Sequence, residues 1–154
     1  MRRNLLIIIS SLLLVACQEG VVYTHFHAIP SYGWEADSAL SFDATIADSI
    51  TDYEMQITLR HTDKYPYQNL WLFIDICHDS TLLSTDTIEC YLANERGEWL
   101  GGGMSIYELP LLYNQHQRFP NAGLYTISIH QGMRSDTLVG IQELGLKIIS
   151  NEQK

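Results

Sequence analysis

From Tyr53 to Leu59 apolar side chains occupy every second position, with Glu54, Gln56, Thr58 and Arg60 alternating between and beyond them. A pleated strand points successive side chains to opposite faces, so this alternation specifies a strand with one buried and one wet face. Leu40, Phe42, Ala44 and Ile46 repeat the pattern, and so do Tyr125, Ile127 and Ile129 within Leu124 to Gln131. Leu70 to Ile74 is apolar at every position, which predicts a central strand covered on both faces, with Trp71 in the core. Further strand signals run from Thr85 to Ala93, near Ile106-Tyr107 with an end before Pro110, and from Ile141 to Ile149. No helical period stands out beyond Cys17. About eight short strands separated by Gly, Pro, Asn and Asp predict an all-β fold, an antiparallel β-sandwich of the immunoglobulin-like kind, over residues 39–154. Residues 17–38 read as a tether, in which Phe26, Tyr32 and Trp34 point to some packing.

The first sixteen residues follow other rules. Arg2 and Arg3 precede the apolar run Leu5 to Val15, which is far shorter than the roughly 20 residues that span a bilayer. A basic front, a short apolar middle and a small-residue end make a secretory signal peptide, residues 1–16. Its end, Leu14-Val15-Ala16-Cys17, resembles the lipobox at which lipoprotein signal peptidase cleaves before a lipidated cysteine. Cys17 is therefore the expected lipidation site and first mature residue. Two or more acyl chains hold a protein stably at a membrane without spanning it. Because no acidic residue directly follows Cys17, outer-membrane attachment is the expectation, with the leaflet left open.

Charge narrows the partners. Loss of Arg2 and Arg3 leaves seven Lys and Arg against 18 Asp and Glu in 138 residues, a net charge of about −11. So acidic a surface repels nucleic acid and anionic head groups. Cys77 and Cys90 are the remaining cysteines, near the ends of two apolar runs. In the oxidising envelope a disulfide between them and a pair of buried free thiols are both admissible.

Chemistry-bearing patterns are sparse. His25-Phe26-His27 puts two imidazoles on one face of an extended segment, without further ligands at metal-site spacing, so no metal is expected. Gly101-Gly102-Gly103 lacks the Lys-Ser/Thr of a phosphate loop and reads as a bend between strands. Ser105, in Gly103-Met104-Ser105-Ile106-Tyr107, lacks the second glycine of a nucleophile elbow. His61-Thr62-Asp63 and His78-Asp79-Ser80 read as polar loops at strand ends. No catalytic residue, cofactor or small-molecule substrate is expected. Trp99 follows a turn and Trp34 sits in a loop-like stretch, so these two are better placed for an exposed contact than Trp71, against the plainer role of capping the sandwich.

Three groups of residues add a resemblance. The first is Tyr65-Pro66-Tyr67-Gln68-Asn69-Leu70-Trp71-Leu72-Phe73-Ile74. The second runs from Asp86-Thr87-Ile88-Glu89-Cys90 through Leu92-Ala93 to Gly97-Glu98-Trp99-Leu100-Gly101. The third runs from Phe119-Pro120 and Gly123-Leu124-Tyr125 through Gln131-Gly132-Met133-Arg134 to Glu143-Leu144-Gly145-Leu146-Lys147. With the lipobox, their order and spacing resemble the gliding-motility lipoprotein GldH family of Bacteroidota over roughly residues 50–150. The resemblance implies an outer-membrane lipoprotein, anchored through lipid on Cys17, with envelope protein partners in the gliding and type IX secretion machinery. It implies no enzymatic activity and supplies no catalytic residues. The alternative is a lipid-anchored β-sandwich binding module that recognises glycan or peptide. Most motif residues read as fold determinants. Met133-Arg134 is a loop pair on an acidic chain, where Arg134 pairs either with a carboxylate of its own chain or with a partner; Met133, Arg134 and Trp99 are the candidate partner contacts.

Overall fold

The structure, a computed structural model, describes residues 20–151. They form eight long strands, β1 (Val21–Ala28), β3 (Leu40–Ile46), β4 (Tyr53–His61), β5 (Asn69–His78), β6 (Thr81–Tyr91), β7 (Tyr107–Gln117), β8 (Gly123–Gln131) and β10 (Ile141–Ser150), and two short ones, β2 (Trp34–Glu35) and β9 (Thr137–Leu138). One sheet has the order β1-β10-β4-β7, the other β3-β8-β5-β6, and β2 pairs with β9 in a separate ribbon. Every pairing is antiparallel.

The expected all-β sandwich forms, but its connectivity is not immunoglobulin-like. β1 pairs with β10, β3 with β8, β4 with β7 and β5 with β6, so the chain is one long nested hairpin rolled on itself. Eight strands wound this way in two sheets make a jelly roll. The alternating pattern is the same for both connectivities, so it does not distinguish them. Residues 21–35, expected as tether, belong to the fold: β1 pairs along β10 from Val21↔Ile149 to Ala28↔Glu143.

The alternation places the core. Met55, Ile57 and Leu59 of β4 meet Phe42, Ala44, Leu72, Ile74 and Ile127 of the opposite sheet, all at most 1% exposed. Fully burying one such side chain is worth about 1.5–3 kcal/mol. β5 departs from its expectation. Leu70, Leu72 and Ile74 are buried, whereas Trp71 and Phe73 are 38% and 42% exposed. The strand is interior to its sheet, yet only one face of that sheet is covered. Trp34 is the converse, 1% exposed with its indole N–H donating to the Ser38 carbonyl at 2.8 Å.

β7 continues through Pro110, where the sequence predicts an end. It is an edge strand, so a missing N–H there need not break a ladder. Gly101 and Gly103 do make the expected bend: both have positive φ, and a Cβ on either would collide with the backbone of Glu108 or Ile106. The polar loop expected after His78 is a two-residue turn. Asp79 and Ser80 have φ of 48° and 64°, as a type I′ hairpin turn demands.

A disulfide between Cys77 and Cys90 is ruled out by register. Cys77 lies opposite Leu82 and Cys90 opposite Leu70, seven residues apart along β5. That is about 24 Å, against the 7 Å or less that a bridge tolerates. Both thiols are free, and burial pushes that of Cys90 up to about 12.

His61, expected in a polar loop, is the fully buried last residue of β4. Its ring stacks on Tyr107 at 5.4 Å and meets Trp99 edge-on at 4.8 Å. Nδ1 faces the Thr62 carbonyl at 3.2 Å and so carries the hydrogen, while Nε2 has no partner among the described residues. Burial holds the imidazole below its ordinary value of 6.5, partly offset by the Thr62 carbonyl.

Two outcomes follow. Ser→Gly at position 80 relieves a left-handed non-glycine and raises the unfolding free energy by about 0.5–1 kcal/mol, measured by urea denaturation; an unchanged midpoint contradicts the strain. For His61 the unfolded chain binds the proton more tightly, so its contribution is complete above about pH 6.5 and is lost as pH falls below that value. His61→Phe, which keeps the ring packing, flattens the fall of Tm between pH 7.5 and 5; an unchanged slope assigns the acid sensitivity to another group.

Candidate functional site

Residues of the first and third motifs, Trp71 and Gly132 among them, meet on the open face of the β3-β8-β5-β6 sheet although about sixty positions separate them in sequence. Leu72 lies opposite Gln131, so the next residue of β8's exit, Gly132, lies beside Trp71 and donates its N–H to the Trp71 carbonyl at 2.7 Å. Tyr67, Asn69, Trp71, Gly132, Met133 and Arg134 line a groove of about 490 Å³. Gly132 packs closely on the floor: a Cβ there would lie 3.0 Å from the Phe73 ring and 3.2 Å from Trp71 Cβ, so the neighbours would have to give by a few tenths of an ångström. The floor is kept low by this contact, and Phe73 extends it along the sheet. Elsewhere the outward positions of this face are mostly polar, such as Ser41, Asp43, Thr87 and Ser128.

The wall is built before any ligand arrives. Gln131 is 3% exposed; its amide donates to the Ser135 carbonyl, and its amide oxygen accepts from the Met133 N–H, both at 2.8 Å. The Tyr67 hydroxyl pairs with Ser135 Oγ at 2.7 Å, and the Trp71 N–H points at the Met133 sulfur at 3.4 Å. On the other side Tyr65, 2% exposed, donates its hydroxyl to the Asn69 carbonyl at 2.8 Å. The Asn69 amide is used by Glu89, which also accepts from the Tyr91 hydroxyl at 2.9 Å.

Arg134 differs from the other groove polar groups. It is exposed, and among the described residues it makes no ion pair or hydrogen bond. Of the two readings offered by sequence, the internal salt bridge is not made among the described residues. By contrast Arg60 pairs with both Glu108 and Glu143 and stacks over Phe26 at 4.6 Å, and Arg118 pairs with Asp52.

Other candidates lie elsewhere. Trp99 is half-buried against His61 and Tyr107 and does not line the groove. His25 and His27 pack edge-on with centroids 4.8 Å apart, and His27 lies over Phe42. Among the described residues no three His, Cys, Asp or Glu side chains gather where a metal could sit. Cys17 lies outside the described residues. A larger cleft of about 720 Å³, lined in part by Ile50, Asp52, His116 and Arg118, occupies the opposite end. Its charges satisfy one another: Arg118 reaches Asp52 at 2.5 Å and His116 approaches it at 3.7 Å, and the Arg118 hydrogen bond holds the Asp52 carboxyl below the usual range. The smaller groove, with one unengaged cation over an aromatic floor, is the better candidate for a contact.

Sequence reasoning singled out Met133 and Arg134 but not Tyr67 or Trp71 as contact residues. The available signal was parity: Trp71 and Phe73 alternate with Leu70, Leu72 and Ile74, so one face of β5 had to be aromatic. Gln131→Leu is expected to leave the Met133 N–H and Ser135 carbonyl unpaired, at a cost of about 1–3 kcal/mol. Hydrogen exchange at the Met133 amide should accelerate; unchanged protection would show that Gln131 does not hold the wall.

Comparison with known proteins places the chain. The profile of the GldH lipoprotein family matches residues 21–148. A gliding motility lipoprotein GldH homolog of Christiangramia forsetii is 34% identical over 139 residues, covering 89% of this chain and 85% of that protein. Gliding motility lipoprotein GldH of Flavobacterium johnsoniae is 31% identical over 157 residues, covering 97% and 95%. Among solved structures, the infectious bursal disease virus VP2 subviral particle aligns at a TM-score of 0.36 with 17% identity, covering 83% of this chain and 30% of that one, too loosely to inform function. With most of its length matched at these identities, the chain belongs to the GldH lipoprotein family.

Proposed function

We propose that the protein is a non-enzymatic lipoprotein, held at the outer membrane by lipid on Cys17, that serves as a structural or assembly component of the envelope machinery for gliding and type IX secretion. Family membership supports this reading, and so does the disposition of the two ends of the sandwich. Gly20 accepts from the Ser150 N–H at 2.7 Å, and Asn151 donates to the Asp52 carbonyl at 2.8 Å, so the chain enters at the end that carries the 47–52 loop. The groove lies at the other end of strands about 30 Å long. Cys17 is three residues before Gly20, a reach of about 10 Å. A lipid on Cys17 therefore holds the acidic 47–52 end near the membrane and presents Trp71 and Arg134 away from it.

Cys17→Ser in the full precursor tests the anchor. The variant should lose acyl labelling, leave the outer-membrane fraction and fail to co-purify with envelope proteins that the wild type retains after crosslinking. Membrane retention and an unchanged set of crosslinked proteins would overturn the reading.

A further inference from the structure

We propose that the groove between Trp71 and Arg134 binds an exposed segment of a partner protein in which an apolar side chain stands next to a carboxylate. The proposal deepens the reading above by giving the partner's contact a chemistry, and it rests on that reading only for the partner's being an envelope component.

Three observations carry it. First, Arg134 is an exposed cation at the groove without an ion pair among the described residues, on a chain whose mature charge is about −11. A planar guanidinium held beside a groove is suited to a carboxylate, which it grips through two parallel hydrogen bonds. Second, the floor is apolar and open. Tyr67, Trp71 and Phe73 are 38%, 38% and 42% exposed on a face that is otherwise mostly polar, and Met133 adds a thioether that adapts to varied shapes. Third, Gln131, Ser135 and Tyr67 fix the wall in advance, which lowers the ordering cost of binding.

The same hydrogen bonds favour peptide over sugar. A glycan needs several polar side chains directed at its hydroxyls. Here the Asn69 amide is used by Glu89 and the Tyr67 hydroxyl by Ser135. One free cation over an aromatic floor matches one carboxylate beside one apolar side chain. Gly20 and Asn151, the ends of the described residues, both lie at the end of the sandwich away from the groove. The neighbouring edge strand is not the natural docking line. Asp86 of β6 lies opposite buried Ile74, and its carboxylate accepts from the Thr87 N–H at 2.8 Å and the Tyr113 hydroxyl at 3.3 Å, a charge that blunts strand addition.

The test uses the full mature lipoprotein in detergent micelles and three synthetic peptides of one length. One has the sequence acetyl-Glu-Leu-Asp-Phe-Glu-amide, the second carries Gln and Asn for its acids, and the third carries Lys at those positions. Binding is measured by calorimetric titration at low and high salt. The acidic peptide should bind about tenfold more tightly than the neutral one at low salt, with the difference shrinking as salt rises. Arg134→Glu should abolish that preference and transfer it to the Lys peptide, while Trp71→Ala should weaken all three by about tenfold. Both side chains are exposed, and unchanged melting curves confirm that the variants fold.

Equal binding of acidic and neutral peptides, or an unaltered preference in Arg134→Glu, overturns the proposal. Tighter binding of an oligogalacturonate than of any peptide overturns it in favour of a glycan. Self-association that Arg134→Glu abolishes in the absence of peptide overturns it in favour of a second copy. If peptide binding fails while Cys17→Ser still releases the protein from the membrane, the groove proposal falls and the anchored-component reading stands. If Cys17→Ser has no effect while peptide selectivity holds, the reverse is true.

Discussion

In the antiparallel pairing of β5 with β8, Leu72 stands opposite Gln131 and Ile74 opposite Ile129. Because side chains alternate across the pleat, this register sends Leu70, Leu72, Ile74 and Ile76 into the sandwich and Trp71 and Phe73 out of it. It also brings Gly132 beside Trp71, and with it the loop that carries Met133 and Arg134. A slip of one residue would bury two aromatics where the core has no room and expose the leucines. The groove and the core are thus fixed by the same ladder, which is why a contact surface on this molecule can be rigid although half of it is loop.

Two buried polar residues sit at the groove end, and they behave differently. Gln131 is satisfied on both its donor and acceptor sides and orders the loop that follows. His61 uses only Nδ1 and leaves a lone pair among aromatic rings. An orphaned acceptor costs less than an orphaned donor, and the neutral ring stacks well, but protonation has no counter-charge in its place. Protonating His61 therefore weakens this aromatic cluster, whereas the ion pairs of Arg60 and Arg118 lie on exposed surface where water screens them.

The nested hairpin gives the domain two distinct ends. One gathers Gly20 and Asn151, the ends of the described residues, with a cleft in which Arg118 and His116 pair with Asp52; the other gathers the 92–106 bend with the 62–68 and 132–136 loops, of which the last two contribute to the groove. In a lipid-anchored domain this separation gives each end a different neighbour. Under the proposed function, the anchor sets height and orientation, and the groove supplies chemistry that the anchor does not.

Local pattern determined much of this protein from sequence alone. Alternation at Tyr53–Leu59, Leu40–Ile46 and Tyr125–Ile129 gave the strands and their buried faces, because period two is written residue by residue and needs no partner. The three motifs and the lipobox pointed to the family for a similar reason, since each is a short stretch read in place. Facts about which strand lies beside which required the tertiary structure. Local pattern puts Trp71 in the core and Trp34 in a loop, yet their positions are exchanged: one face of β5 is left open, while Trp34, in the short strand β2, is buried with its indole N–H bonded to the Ser38 carbonyl. Cys77 and Cys90 looked like facing positions until the register placed them at opposite ends of a hairpin. Pro110 looked like a terminator until β7 proved to be an edge. Arg134 is legible as a contact, but only the fold sets its loop beside Trp71, because pairing between residues sixty positions apart is decided by which strands lie side by side in the sheet and not by either segment.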